Sequence, residues 1–144
     1  LYAKFENLTS NLSSVKNWIC SGETLMYNLV ELFFEINQQN SNESTLSNFY
    51  GSTEVTADCT YISFKSLDYV KTLINETKDV PIGKPLNNCN IYLIDDQDNE
   101  IVDENQVGEI YVGGNCLTNG YLNNKNNEKF VLKNNKSLFK TGDY

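Results

Sequence analysis

Five apolar residues at helical spacing, Leu25, Leu29, Leu32, Phe33 and Ile36, limit what the first half of this chain can become. They predict an amphipathic helix over residues 23–37, and a helix apolar on one side needs a partner to cover that side. The partners are legible on either flank. Residues 15–20 read as a short buried strand, and Ser21 is placed to cap the helix, with Gly22 and Glu23 in its first turn. Residues 38–45 are rich in asparagine and serine and read as a surface loop. Residues 46–50 are a second strand. Strand, helix, strand makes an α/β unit, and ligands in open α/β sheets gather beyond the carboxyl ends of strands. What lies at that end here is Asn48-Phe49-Tyr50-Gly51-Ser52-Thr53-Glu54.

Further along, residues 59–64 read as a strand, and Leu67, Val70, Leu73 and Ile74 suggest a short helix. The texture changes at Val80. Pro81-Ile82-Gly83-Lys84-Pro85 is a stiff, turn-rich entry to a β-rich half. Strands are expected at 90–94, starting again at 100–102 after an acidic turn, at 107–112, and at 137–140. Gly113-Gly114 and Gly120-Tyr121-Leu122 mark turns, and residues 125–131 read as a helical turn. The expected fold class is α/β followed by an antiparallel, barrel-like part. Residues 1–78 are expected to be the remnant of an α/β subdomain, and 79–144 a β-rich subdomain. The chain opens on Leu1 and stops at Tyr144 directly after Thr141-Gly142-Asp143, so both ends are expected to continue in a longer polypeptide.

Charge and residue usage narrow the chemistry. All 11 basic residues are lysine against 19 acidic ones, giving a net charge of −8. Without a basic stripe the chain is unsuited to nucleic acid, and a polyphosphate ligand needs a divalent cation to offset repulsion. There is no histidine and no arginine. Chemistry within this segment therefore falls to carboxylates, hydroxyls, lysine, backbone amides or a metal. Cys20, Cys59, Cys89 and Cys116 form no CxxC pair, and they are expected to be reduced, buried thiols of a cytoplasmic protein. Asn-x-Ser/Thr triplets such as Asn75-Glu76-Thr77 read as chance in an asparagine-rich chain. No apolar run approaches transmembrane length.

The stretch 48–54 holds parts that suit a nucleotide and its metal. Tyr50 offers a ring for a purine, and the Asn48 amide offers a donor and an acceptor for an adenine edge. Gly51 allows close backbone approach, Ser52 and Thr53 can donate to phosphate, and Glu54 can hold magnesium. Read alone, it is equally a strand-end turn, with Tyr50 in the core. Asp143 can accept from both hydroxyls of a ribose, yet Thr141-Gly142-Asp143 alone is an ordinary β-turn.

The order of the motifs decides between these readings. N-x-Y-G-x-T-E at 48–54 precedes Pro81-Ile82-Gly83-Lys84-Pro85-Leu86. Gly108-Glu109-Ile110-Tyr111-Val112-Gly113-Gly114 with Gly120-Tyr121 follows, and then Phe139-Lys140-Thr141-Gly142-Asp143. In this order the chain, from about residue 15 to 144, resembles the adenylate-forming family: acyl-CoA synthetases, luciferases and the adenylation domains of nonribosomal peptide synthetases. The resemblance implies that Asn48 and Tyr50 contact adenine and that Gly51 and Ser52 belong to the nucleotide-binding stretch. Thr53 would touch the α-phosphate, Glu54 would bind Mg2+ and Asp143 would hold the ribose, with Thr53 and Glu54 as the catalytic pair. It also implies that Ile19, Cys20, Ser21 and Gly22, with Phe49, Ala57 and Asp58, line the acyl pocket.

Ser52 stands where peptide synthetases commonly have proline, and Asn119 where arginine often precedes Gly-Tyr. The family's phosphate loop and its lysine-bearing small domain are not in these 144 residues, so the segment alone is expected to be inactive. The implied reaction is attack of a substrate carboxylate on the α-phosphorus of ATP, with Mg2+ present. Pyrophosphate leaves, and the acyl group later passes to a phosphopantetheine or coenzyme A thiol. The nucleophile is already an anion, so no general base is needed, in keeping with the lack of histidine. Asp58 suits the ammonium of an amino acid, a small or β-amino acid among them, although a solvent-facing turn would serve it equally well. A carrier-protein domain is an expected partner, and exposed strand edges offer pairing between copies. A fatty or aromatic acyl-CoA synthetase is one alternative, and a non-catalytic nucleotide-binding or interaction module another.

Overall fold

Leu25 enters the core, but the helix does not begin with it. In the computed structural model, which describes residues 12–41, 43–74, 76, 78–103, 105–122 and 127–144, residues 21–26 form an irregular loop that carries Leu25 inward. Helix α1 then spans Tyr27–Gln39. Ser21 is therefore not the cap of α1; the residue before the helix is Met26, whose side chain makes no capping bond. Gly22 has φ +88°, a left-handed conformation that suits glycine and turns the chain away from the strand. Strand β1, Asn17–Cys20, is shorter than expected and not buried, with Ile19 66% exposed. It pairs parallel with strand β2, Cys20 opposite Asn48. Among the described residues it is the edge of its sheet.

β2, Thr45–Ser52, runs through the glycine and serine that sequence alone assigns to a turn. A single 3-10 turn at Thr53–Val55 follows, then β3, Ala57–Phe64. The short helix α2 is Leu67–Leu73, its first turn capped by Ser66 Oγ accepting from Tyr69 N–H. β4 is the two-residue Lys84–Pro85, and the first sheet has the order β1-β2-β3-β4.

The described residues divide into two compact units: residues up to Phe49 with Tyr61–Gly83, and Tyr50–Thr60 with Lys84–Tyr144. In the first, Val30, Phe33 and Phe34 of α1 pack with Leu25, Leu46, Phe64 and Val70, flanked by Trp18, Ile62 and Val80. The buried face is rotated from the expected stripe: Phe33 and Ile36 are buried as expected, but Leu29 is 43% exposed, Leu32 is half-buried, and Val30 and Phe34 take the core positions. Trp18, Phe33 and Phe34 meet edge to face, with centroids 6.0 and 5.1 Å apart.

In the second unit β5 is Cys89–Ile94, β6 Glu109–Gly114, β7 Phe130–Lys133 and β8 Lys136–Lys140. They form an antiparallel sheet of order β5-β6-β8-β7, with no closed barrel among the described residues. Ile94, Tyr111 and Leu138 are its core, with Tyr92 and Val131 against them. The expected return strand at 100–102 is reduced to a single bridge, Glu100 to Ile94. Asp95 instead closes a tight turn by accepting from the Gln97 and Asn99 N–H groups at 2.9 and 2.7 Å. The expected helical turn at 125–131 lies partly outside the described residues. Its described part is a 3-10 turn at Asn127–Lys129, after which Phe130 and Val131 are already strand. The β7–β8 hairpin turns on Asn134 and Asn135, with φ +50° and +60°, the two-residue geometry that asparagine tolerates. Asn75 and Thr77 of the Asn75-Glu76-Thr77 triplet also lie outside the described residues. No helix among the described residues is long and apolar enough to cross a membrane.

Candidate functional site

Besides Asn48, the first unit holds the expected site residues Ile19, Cys20, Ser21, Gly22 and Phe49. Asn48 is only 4% exposed, and its amide N–H donates to the Pro81 carbonyl at 3.0 Å. That bond ties the first motif to the second, and it leaves Asn48 one further amide N–H and its carbonyl oxygen. Phe49 stacks on Tyr61, with centroids 5.4 Å apart and planes 29° off parallel. Ile19, Ser21 and Gly22 are exposed at the end of β1 and beyond it. Tyr61 was not singled out in the sequence, where it reads only as one residue of a strand.

The second unit holds the rest. Tyr50 donates from its hydroxyl to Asp143 Oδ2 at 2.5 Å across 93 positions of sequence. Burial, then this carboxylate, pushes the Tyr50 phenol well above its usual range. The Asp143 backbone is held as firmly: its carbonyl accepts from Ile110 N–H at 2.8 Å and its N–H donates to Thr141 Oγ1 at 3.0 Å. Gly142 between them has φ +86° and donates its N–H to Glu109 Oε1.

Gly51 is required by the strand beside it. A Cβ there would lie 2.0 Å from the Ala57 carbonyl oxygen and 2.5 Å from Asp58 Cα. A close backbone approach is thus made between β2 and β3. The turn between them costs local strain, since Thr56 and Ala57 both have positive φ, 58° and 78°. Thr53 and Ala57 are exposed at this turn, and Asp58 is half-buried.

Glu54 sits in the turn with its carboxylate accepting from the Tyr121 hydroxyl. That bond holds the Glu54 carboxyl below the usual range, with a smaller contribution from Lys129. The buried Ser52 hydroxyl also lowers the Glu54 carboxyl, though it makes no hydrogen bond of good geometry. A carboxylate held low in the turn and a buried hydroxyl at the end of β2, two residues before it, would suit a divalent cation and phosphate oxygens. Among the described residues no group of three His, Cys, Asp or Glu side chains forms a metal site, so such a cation would take most of its ligands from water and phosphate.

Sequence reasoning placed Gly120-Tyr121 in a motif but gave Tyr121 no role. The signal that finds it, its bond to Glu54, joins positions 67 residues apart. The cysteines also differ from expectation. Only Cys59 is fully buried, which pushes its thiol up to about 12, and Cys20, Cys89 and Cys116 are half-buried. All four are free thiols, and burial with Cys89 alongside raises Cys116 to about 11.

With this geometry in place, comparison with known proteins gives the class. The family model for AMP-binding enzymes matches residues 2–122, and the chain belongs to that family. It is 38% identical over 139 residues to the Drosophila melanogaster beta-alanyl-bioamine nonribosomal peptide synthetase ebony, covering 92% of this chain and 15% of that protein. The fold is similar to that of the Vibrio cholerae adenylation domain AlmE, solved in complex with glycyl-adenosine-5'-phosphate. The TM-score is 0.73 at 25% identity, over 91% of this chain and 24% of AlmE. It is also similar to PA1221, an NRPS protein containing adenylation and PCP domains, at TM-score 0.76 and 25% identity, over 99% of this chain and 28% of that one. The chain thus spans between 15% and 28% of the length of these relatives.

Proposed function

We propose that this chain supplies part of the nucleotide site of an ATP-dependent enzyme that activates a carboxylate as its adenylate. The contact between Tyr50 and Asp143 carries the reading, because it joins the first and last of the ordered motifs within one unit. Asn48 and Tyr50 face the adenine, Asp143 takes the ribose hydroxyls, and Ser52 and Thr53 donate to phosphate. Glu54 holds Mg2+, which when bound offsets the phosphate charge so that an anionic nucleophile can approach. The chain's own contribution is positioning, with Gly51 and the turn at 53–56 setting where the hydroxyls and carboxylate stand.

The substrate we favour is an amino acid. Asp58 lies on β3 beside Ala57, and with Ile19, Ser21, Gly22 and Phe49 it belongs to the expected acyl-side residues. A carboxylate there suits an ammonium group. Two relatives point the same way by name, one beta-alanyl and one solved with a glycyl adenylate. The aminoacyl group would then pass to a phosphopantetheine thiol on a carrier domain such as the PCP domain of PA1221.

The test is ATP–pyrophosphate exchange by the full-length protein that carries this chain, with glycine, β-alanine, larger amino acids, and fatty and aromatic acids as substrates. Exchange driven by a small amino acid and reduced at least about 100-fold in Glu54→Gln supports the reading. Exchange with fatty or aromatic acids alone points to an acyl-CoA synthetase. No exchange with any acid sinks it. An Asp58→Ala variant that keeps the same amino-acid preference removes Asp58 from the substrate site.

A further inference from the structure

Glu54 does not stand free in its turn; it is strapped by the segment 116–121. Thr118 N–H donates to the Glu54 carbonyl at 2.9 Å, and Thr56 Oγ1 donates to the Cys116 carbonyl at 2.7 Å. The third tie is the Tyr121 hydroxyl on Glu54 Oε1. The first of these bonds fixes the backbone of the turn, the second anchors its Thr56 side chain, and the third fixes the carboxylate itself.

Tyr121 is in turn held from behind. Its N–H donates to Asn127 Oδ1 at 2.9 Å. Its ring meets Phe130 edge to face at 5.7 Å, and Phe130 packs on Phe139 at 5.0 Å. Gly120 brings the chain in with φ +100°, where any side chain would press on the Asn127 amide 2.8 Å away. A ring fixed by its backbone, its edge and its hydroxyl has lost its rotamer freedom before any ligand arrives, so ordering it adds little to the cost of binding. Nothing else in this arrangement calls for a phenol: packing on Phe130 needs only the ring.

From these contacts we propose that Tyr121 is a positioning residue for Glu54, holding one carboxylate oxygen so that the other is presented in a single orientation to a divalent cation. The proposal rests on the reading of Glu54 as the cation-holding residue. Its chemistry is that of a hydrogen-bonded partner fixing the orientation of a ligating carboxylate, and loss of such partners typically weakens metal affinity about 10–100-fold. The cation held would be Mg2+ or Mn2+ carried in with a nucleotide, because one carboxylate alone leaves the remaining positions to water and phosphate.

The experiment measures Mn2+ binding to the full-length protein with ATP by electron paramagnetic resonance, alongside the Mg2+ dependence of pyrophosphate exchange. The variants are Tyr121→Phe, Glu54→Gln and the double substitution. Tyr121→Phe keeps the ring on Phe130, and an unchanged thermal midpoint shows that the fold is intact. The expected result is Mn2+ binding weakened about 10-fold in Tyr121→Phe, with kcat restored at saturating Mg2+. Glu54→Gln binds Mn2+ more weakly still, and adding Tyr121→Phe to it costs nothing more. Unchanged Mn2+ binding in Tyr121→Phe overturns the proposal. So does a penalty for Tyr121→Phe that persists in the Glu54→Gln background, because Tyr121 then acts elsewhere. The reading of Glu54 fails separately: Mn2+ binding and Mg2+ dependence would then be normal in Glu54→Gln itself.

Discussion

The Tyr50 hydroxyl and the Asp143 carboxylate are 2.5 Å apart, although 93 residues separate them. The bond orients a carboxylate through a ring that would otherwise be judged by its face alone. A hydrogen bond to a charged group contributes about 1.5–3 kcal/mol, and this one is exposed, which places it at the low end. Tyr50→Phe keeps the ring and loses the bond, so about a tenfold rise in KM for ATP is expected with a smaller change in kcat. Steady-state exchange kinetics at varied ATP check it; a change confined to kcat goes against the orienting role.

Gly51→Ala tests packing rather than ligand contact. Its Cβ would overlap the Ala57 carbonyl, which is backbone and has little room to yield. Destabilisation by about 3 kcal/mol is expected, visible as a lower urea midpoint with no nucleotide present.

Ala57→Gly should act in the opposite sense. Ala57 is exposed and has φ 78°, so its side chain adds strain and little packing. Removing the Cβ is expected to raise stability by about 1 kcal/mol in the same denaturation measurement.

Acid sensitivity is expected from Asp95. The Asn99 N–H, then the Asn99 side chain and the Gln97 N–H, hold its carboxyl below the usual range. A carboxyl depressed in the folded state adds stability that is complete above its unfolded pKa and disappears as pH falls through the folded value. Wild type should therefore exceed Asp95→Ala in stability by a constant amount above about pH 5. The gap should narrow steadily below about pH 4. Thermal midpoints of both proteins across pH 2–7 give the comparison.

Cys59 should be the slowest thiol to alkylate in the folded chain. It is fully buried and its thiol is pushed up to about 12, so almost no thiolate is present or accessible near neutral pH. Timed alkylation at pH 8 with peptide mass spectrometry ranks the four cysteines; equal rates for Cys59 and Cys20 would contradict this.

The sequence determined much of this protein. The period of Leu25 to Ile36 gives the helix, and Phe33 and Ile36 are buried as it requires, while Val30 and Phe34 rather than Leu29 complete the packed face. Strands at 59–64, 90–94 and 137–140 are close to those observed, because alternation and turn residues act over a few positions. The ordered motifs from Asn48 to Asp143 also give the family without any coordinates. The start of α1 was not legible, since Ser21 and Gly22 look like a helix entry while the burial of Leu25 sets the loop that delays it.

Other features were decided only when distant strands paired. β2 continues through Gly51 because β3 lies against it, and Phe130 and Val131 become strand because β8 is there to bond them. The bonds from Tyr50 to Asp143 and from Tyr121 to Glu54 cross 93 and 67 positions. No local propensity encodes such distances. They follow from the order β5-β6-β8-β7 and from the chain folding back, where the entropy of closing long loops is offset only by the whole packed sheet. The residue types in the site are therefore written in the sequence, while their mutual orientation belongs to the tertiary fold.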